Sequence, residues 1–346
     1  MQHEVTSPIR LLDKKGRITE EGWARRPMWM YDRKAIHACA LKIKEWDYYA
    51  IMSHRHQFAI SATVSDLGYG SLFAIAFVDF ARGKAVQQDA MQFFTFGKTG
   101  LSPSSFEDNS VTWANKLIRI TFIKKGNRRH LMFAAPRLTL PDGLEGLDVD
   151  VTLSQPEEME SMNIATSWQE NRKAFYLNEK VNCMPVDGRV RMGYDEIQLQ
   201  ADESFGVLDW GRGRWTYVNR WYWGSASGLL ENVPFGFNIG YGFSDRTPAS
   251  ENVLFYDGKI HKLDEIAFHI PKSGYTDPWE FSSNDGRFEL DFQPAADRSS
   301  ATNLGLIKSI QHQVFGWFSG TVILDDGIAL RLDRFPGFAE DVLNRW

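Results

Sequence analysis

The sequence predicts an all-β, mostly antiparallel protein folded as two related β domains in tandem. Three observations predict it: an apolar period of two along most of the chain, a shortage of helical patterns, and two internal echoes that recur in the same order. The runs "FAISATVSDLG", "SLFAIAFVDF", "LIRITFIKKGNRRHLMFAAP", "LDVDVTL", "ENVLFYDGKIHKL", "RFELDFQP" and "GTVILDDGIALRLDRF" are rich in β-branched and aromatic residues and bounded by Gly, Asp, Asn or Pro. So many strands must hide their edges in two packed sheets or in closed barrels. Helical signals are few: "TEEGWARR" with Thr19 as N-cap, "PEEMESM" as a turn after Pro156, and "FAEDVLNRW", which reads as a closing helix.

The first echo pairs residues 65–85 with 237–262: each has a polar and an apolar residue, Gly-Tyr-Gly, a Phe-containing strand, then Asp and Gly-Lys. The second pairs "GNRRHLMFAAPR" with "GRFELDFQPAADR", each a basic turn, an alternating strand, Pro and Arg. Two echoes in one order point to duplication, with the boundary in the polar stretch between Gln155 and Lys180. We divide the chain into an N-terminal domain, 1–170, and a C-terminal domain, 171–346.

Composition narrows the function. The 346 residues, 43% hydrophobic and 24% charged, are globular and sufficient for two cores. A net charge of -5 supplies no bulk basic field, which argues against nucleic acid and anionic membrane as partners. The cluster Lys124, Lys125, Arg128 and Arg129 around Gly126-Asn127 reads as a solvated hairpin. Two cysteines without a CxxC pattern suggest a reducing compartment. No apolar run reaches the roughly 18 residues of a membrane span, and the first residues lack a secretory apolar segment, so the expected location is cytoplasmic.

The stretch "LDWGRGRWTYVNRWYWGSASG" carries the chemistry. If 214–223 is a strand, Trp215, Tyr217, Asn219, Trp221 and Trp223 share one face. That face is either core or the wall of a pocket in which rings hold an apolar or sugar-like ligand and Asn219 orients it. Asp209 precedes two glycines that allow a bend, and Arg212 lies in the same bend. This pair is either a structural ion pair or a proton donor beside an anchor for a polar group. An apolar surround would raise the carboxyl toward neutrality, as general-acid work requires.

Further polar sets accompany it. "NIGYGFSDRTPASEN" supplies Asn238, Tyr241, Asp245, Arg246, Glu251 and Asn252, "KEWDYY" supplies Glu45, Trp46, Asp47, Tyr48 and Tyr49, and "SDLGYG" supplies Asp66 and Tyr69. Turn capping accounts for some of these. His54 and His56 have a spacing that can ligate a metal from one strand face, but no third ligand follows, and we expect no metal and no cofactor. Motifs of serine hydrolases, nucleotide triphosphatases, zinc proteases and dinucleotide enzymes do not occur.

With these residues in view, "EGWARRP", "KEWDYY", "DLGYG", "GVLDWGRGRWTYVNRWYWGSASG", "NIGYGFSD", "ENVLFYDGKIHKL" and "QVFGWFSGTVILDDG" resemble the bacterial and fungal family called domain of unknown function 2804. The order Asp209, Gly211, Trp221, Trp223 is more remotely similar to a lipocalin-like superfamily that includes carotenoid hydratases, tocopherol cyclases and fungal cyclisation enzymes. That resemblance implies two tandem lipocalin-like, calycin-type barrels around an apolar pocket. It also implies an acid, here Asp209, that protonates an alkene, with Trp215, Trp221 and Trp223 stabilising the cation.

The expected catalytic set is therefore Asp209, Arg212, Asp245 and Glu251. The expected binding set is Trp215, Tyr217, Asn219, Trp221, Trp223, Asn238, Tyr241, Trp46 and Tyr69. Three readings stay open: a cofactor-free lyase or isomerase acting on a hydrophobic lipid- or isoprenoid-like molecule, a carrier of such a molecule, and a carbohydrate hydrolase using Trp platforms with paired carboxyls.

Overall fold

A computed structural model describes residues 2–303 and 305–346. Nearly every element is a strand. Two single-turn 3-10 helices, Arg33–Ala35 and Ala40–Lys42, are the only helical elements among the described residues. None of these is long and apolar enough to cross a membrane.

The strands form two large antiparallel sheets with one plan. In the first, Ile43–Ser53, Phe58–Asp66, Gly70–Asp79 and Lys84–Phe93 make a meander. A second meander begins at Asn109–Ala114 and ends at Ser204–Arg214, which returns to pair with Ile43–Ser53. In the second sheet, Val218–Leu230, Val233–Tyr241, Val253–Tyr256 and Lys259–Lys262 make the first meander. The strands from Ile266–His269 onward make the other, and its last member, Ala329–Arg345, returns to pair with Val218–Leu230. Each sheet curls around its own apolar core, giving two tandem barrels.

Both sequence echoes fall on equivalent places in this plan. The two Gly-Tyr-Gly segments lie where the second strand gives way to the third, and the two strands of the second echo, Arg128–Thr139 and Phe288–Asn303, are third in their second meanders. The sheets change over between Arg214 and Val218, whereas the sequence-based division at 170/171 falls inside the first sheet, in the hairpin joining Met162–Trp168 to Asn171–Met192.

Where the barrels meet, strands are buried on both sides. Along Ile43–Ser53, Tyr49 and Ile51 point into the first barrel, while Tyr48, Ala50 and Met52 join Trp223, Phe315 and Phe338 of the second sheet in the seam. Asn182 bolts the two together: its Nδ2 donates to Ser225 Oγ at 2.8 Å and to the carbonyls of Ala226 and Phe237, each at 3.1 Å. The adjacent Cys183 has φ 59° and donates its backbone N–H to Ser227 Oγ at 3.0 Å.

Several local expectations are corrected. "FAEDVLNRW" is the end of a long strand, because pairing with strands on both sides outweighs its helical pattern. "TEEGWARR" holds the short strand Gly22–Ala24, while 157–158 form the turn expected after Pro156. The basic hairpin turns at Gly126-Asn127, but alternation sends Arg129 inward, where its guanidinium donates to Gln155 at 2.7 Å and to the Ser105 carbonyl at 2.9 Å. His54 and His56 share no strand face, since their strand ends at Ser53. Instead, His54 meets the Ser227 carbonyl at 2.9 Å.

Candidate functional site

From Leu208 to Arg214 the strand Ser204–Arg214 pairs continuously on both sides, so Gly211 and Gly213 do not interrupt it. Their role is space. A Cβ on Gly211 would lie 2.1 Å from the Trp46 ring, so this glycine seats the indole flat on the strand. Alternation then separates the two charged residues of the motif. Asp209 faces the seam. Arg212 faces the interior of the first barrel, where it donates to Asp47 at 2.9 Å and to the Ser102 carbonyl at 2.7 Å, over the Trp210 ring. Arg212 is thus a structural ion-pair partner of Asp47, and it does not accompany Asp209.

In the seam, Asp209 meets Lys180 from the neighbouring strand. Lys180 Nζ lies 3.1 Å from Asp209 Oδ1, 4.0 Å from Glu251 Oε2 and 3.9 Å from the centre of the Trp223 ring. Asn178 Nδ2 donates to Asp209 at 2.6 Å, and Tyr176 OH donates to Glu251 at 3.3 Å. Tyr176, Asn178 and Lys180 alternate along one strand, which is why all three reach the same face. Asn238 holds the far wall: it accepts from Trp223 Nε1 at 2.6 Å and donates to the Glu251 carbonyl at 2.9 Å.

A third carboxyl completes the cluster. Glu340 is directly opposite Trp223 in the ladder, accepts from Trp221 Nε1 at 2.8 Å and from Gln313 Nε2 at 3.2 Å, and is buried. Gln313 in turn receives Arg298 Nη1 at 2.6 Å. Burial pushes the Glu340 carboxyl up to about 7, reinforced by the charge of Asp209 and opposed by the Trp221 hydrogen bond, Lys180 and Arg298. Burial also raises Glu251 above its ordinary value, with Lys180 opposing. Among the described residues, Lys180 is the only direct ion-pair partner that these three buried carboxyls have, and a proton on a carboxyl relieves their mutual repulsion.

An aromatic cluster flanks these groups. Trp46 stacks on Tyr176 with ring centres 6.2 Å apart, and Trp215 sits edge-on to Trp46, Trp168, Tyr176 and Trp221. Trp215 lies in the connection after Arg214, and the strand resumes at Val218, so the expected five-residue face is reduced to Asn219, Trp221 and Trp223. Tyr217 is exposed. Asn219 is buried but turns back on its own loop, donating to the Thr216 carbonyl at 2.8 Å.

The other expected residues lie apart from the cluster. Asp245 pairs with Arg172 at 2.7 Å and caps Thr247, interactions that hold its carboxyl below the ordinary value despite partial burial. Tyr241 packs on Tyr222 and Phe268. Tyr69 lies under Lys44 Nζ at 5.0 Å. A cleft of about 400 Å³ opens on the opposite face of the aromatic strand, lined by Arg220, Tyr222, Phe268, Tyr275 and Asp341, and contains none of the expected residues.

Sequence reasoning missed Lys180, Asn178, Tyr176, Gln313 and Glu340. The apolar alternation around Lys180 offered a signal, since a lysine within "AFYLNEKVNCM" must be buried and paired.

Fold and seam together define a tandem two-barrel β protein with an acid-rich cluster between its barrels. The chain belongs to the family described as domain of unknown function (DUF2804), whose model matches residues 2–346. A search of curated proteins found no match to the sequence. Among solved structures, it is similar to a Nitrosomonas europaea protein described as an AttH, with a TM-score of 0.53 and 11% identity over 93% of this chain and 98% of that one. It is also similar to CghA, with a TM-score of 0.55 and 11% identity over 88% of each chain. CghA with Sch210972 gives a TM-score of 0.53 at the same identity and coverage. At this identity the likeness concerns the fold.

Proposed function

We propose that the seam between the barrels binds a hydrophobic small molecule and that Glu340 is its proton donor in a cofactor-free hydration, cyclisation or isomerisation. The observation that carries this reading is the position of Glu340: a buried carboxyl raised to about 7, beside Trp221 and Trp223 of the neighbouring strand. A carboxylic acid that stays protonated near neutrality can give its proton to an unsaturated carbon. The resulting cation would lie against Trp221 and Trp46, whose electron-rich surfaces stabilise positive charge, because the Trp223 face is taken by the Lys180 ammonium. Ring closure onto a second double bond moves the cation to another carbon; loss of a proton, or addition of water with release of its second proton, then discharges it, and a proton returned to Glu340 completes the cycle.

Asp209 takes a different role from the one the resemblance implies. With Lys180 at 3.1 Å and Asn178 at 2.6 Å its carboxyl is held in place, where it orients the Lys180 ammonium over Trp223. The sugar-hydrolase reading needs two carboxyls facing each other across an open pocket. Asp209 and Glu251 instead flank one ammonium. That CghA has a structure with a small molecule, Sch210972, is consistent with ligand binding on this architecture.

Native mass spectrometry with solvent extraction, on wild type beside Glu340→Gln, tests the proposal. We expect the variant to retain an apolar molecule that wild type releases in altered form. The same unaltered molecule in both proteins would support a carrier and overturn the catalytic role of Glu340.

A further inference from the structure

We infer that the loop Phe94–Thr99 and the neighbouring turn at Leu41 form a docking surface for an anionic lipid bilayer, beside the aromatic rim of the seam. This goes beyond the proposed function and does not depend on it.

The loop presents phenylalanine to solvent at a conformational cost. Phe93, Phe94 and Phe96 are 57, 76 and 46% exposed, with ring centres 6.3 and 6.1 Å apart in sequence order. Phe94 has φ 62° and Phe96 φ 50°, a region that bulky L residues rarely occupy. Neither ring recovers that cost by burial within this chain. A contiguous exposed apolar patch of this kind marks an interaction surface.

The patch is held rigidly from below. Asp66, fully buried, accepts from Gly97 N at 2.8 Å, Thr99 Oγ1 at 2.6 Å and Gly68 N at 2.9 Å. Thr95, between the two strained phenylalanines, points inward to Ser71 at 2.9 Å. Phe94 N donates to the Tyr69 carbonyl at 2.8 Å, and the Gly68 turn packs against Ala40 and the exposed Leu41. The buried polar pins and the outward rings describe a loop shaped to display its aromatics.

Charge selects the partner. Lys34, Lys42 and Lys98 are exposed on this face against one exposed flanking acid, Asp32, while Arg33 is paired with Glu45, so the face is locally basic in a protein whose net charge is -5. Aromatic and aliphatic side chains ringed by basic ones match the apolar boundary and anionic head groups of a bilayer. The bulk charge read from composition misses this local face. The patch is also continuous with the seam: Tyr69 and Trp346 lie on Lys44 Nζ at 5.0 and 5.1 Å, Trp346 lies 6.3 Å from Trp221, and Trp221 donates to Glu340. An apolar molecule leaving a bilayer here would meet an aromatic path toward the seam.

Flotation of the full chain with phosphatidylcholine vesicles, with and without phosphatidylglycerol, tests the inference, using wild type, a Phe93→Ser/Phe94→Ser/Phe96→Ser variant, a Lys34→Glu/Lys98→Glu variant and Glu340→Gln. Wild type and Glu340→Gln should float with anionic vesicles, and the serine and glutamate variants should each lose on the order of tenfold or more in partitioning. Exposure of the substituted side chains keeps the fold intact, which unchanged thermal unfolding verifies. Wild type that fails to float with anionic vesicles overturns the inference, as does a serine variant that floats like wild type. A wild-type dimer dissolved by the serine substitutions, without vesicle binding, would instead assign the patch to a second copy of this chain. Failure of flotation leaves the Glu340 reading intact, and loss of chemistry in Glu340→Gln leaves docking intact.

Discussion

Lys180 places its ammonium 3.1 Å from Asp209 and 3.9 Å from the centre of the Trp223 ring, joining a carboxylate of the first sheet to an indole of the second. Both charges are nearly out of water. Removing one partner therefore leaves the other buried and unpaired. Lys180→Met should cost about 3–5 kcal/mol in urea unfolding, and Lys180→Met/Asp209→Leu should cost less than the sum of the single changes. Additive losses would show that the pair is not coupled.

Arg212 belongs to the first barrel's interior and not to the seam. Arg212→Met should destabilise by about 3–5 kcal/mol because Asp47 loses its partner. The mass of any extracted molecule should not change. An altered ligand profile in a folded Arg212→Met protein would return this residue to the site.

Gly211 exists to admit an indole. Gly211→Ala should cost about 1–3 kcal/mol through overpacking against Trp46, and Gly211→Ala in a Trp46→Ala background should cost markedly less. Unfolding of the four proteins provides the cycle. Equal costs in both backgrounds would mean that another neighbour limits the position.

Stability should depend on pH through Glu340. Its ordinary value of 4.5 is raised to about 7, so between these values the folded state keeps a proton that the unfolded chain has lost. Its contribution is complete below about 4.5, falls as pH rises through about 7, and is level beyond. Glu340→Gln removes this dependence. Relative to wild type, the variant should gain about 3 kcal/mol between pH 4.5 and pH 8, measured by denaturant unfolding at each pH. A difference that stays constant with pH would show an unperturbed carboxyl.

The fold was legible because both period-two alternation and the echoes are local, repeated signals. Seam-forming strands were the hard part. Ile43–Ser53 is buried on both faces, so its alternation separates two interiors and not interior from water. In the Asp-Trp-Gly motif the glycine was assigned a bend when it supplies room for Trp46. Asp209, Glu251, Trp46, Trp221, Trp223 and Asn238, all named from the sequence, lie together in or beside the seam. Glu340 was hidden by the helical pattern of "FAEDVLNRW", in which its neighbours suggested a solvated end. Lys180 and Tyr176 lie in a strand whose polar residues become meaningful only when the second barrel covers them.

The central claim is that the seam keeps Glu340 protonated near neutrality. Infrared titration of the protonated carboxyl stretch in wild type, Glu340→Gln and Glu251→Gln tests it most directly. We predict a buried carboxyl band that titrates near pH 7, is lost in Glu340→Gln and persists in Glu251→Gln. A spectrum in which Glu340→Gln removes no band above pH 6 would contradict the account.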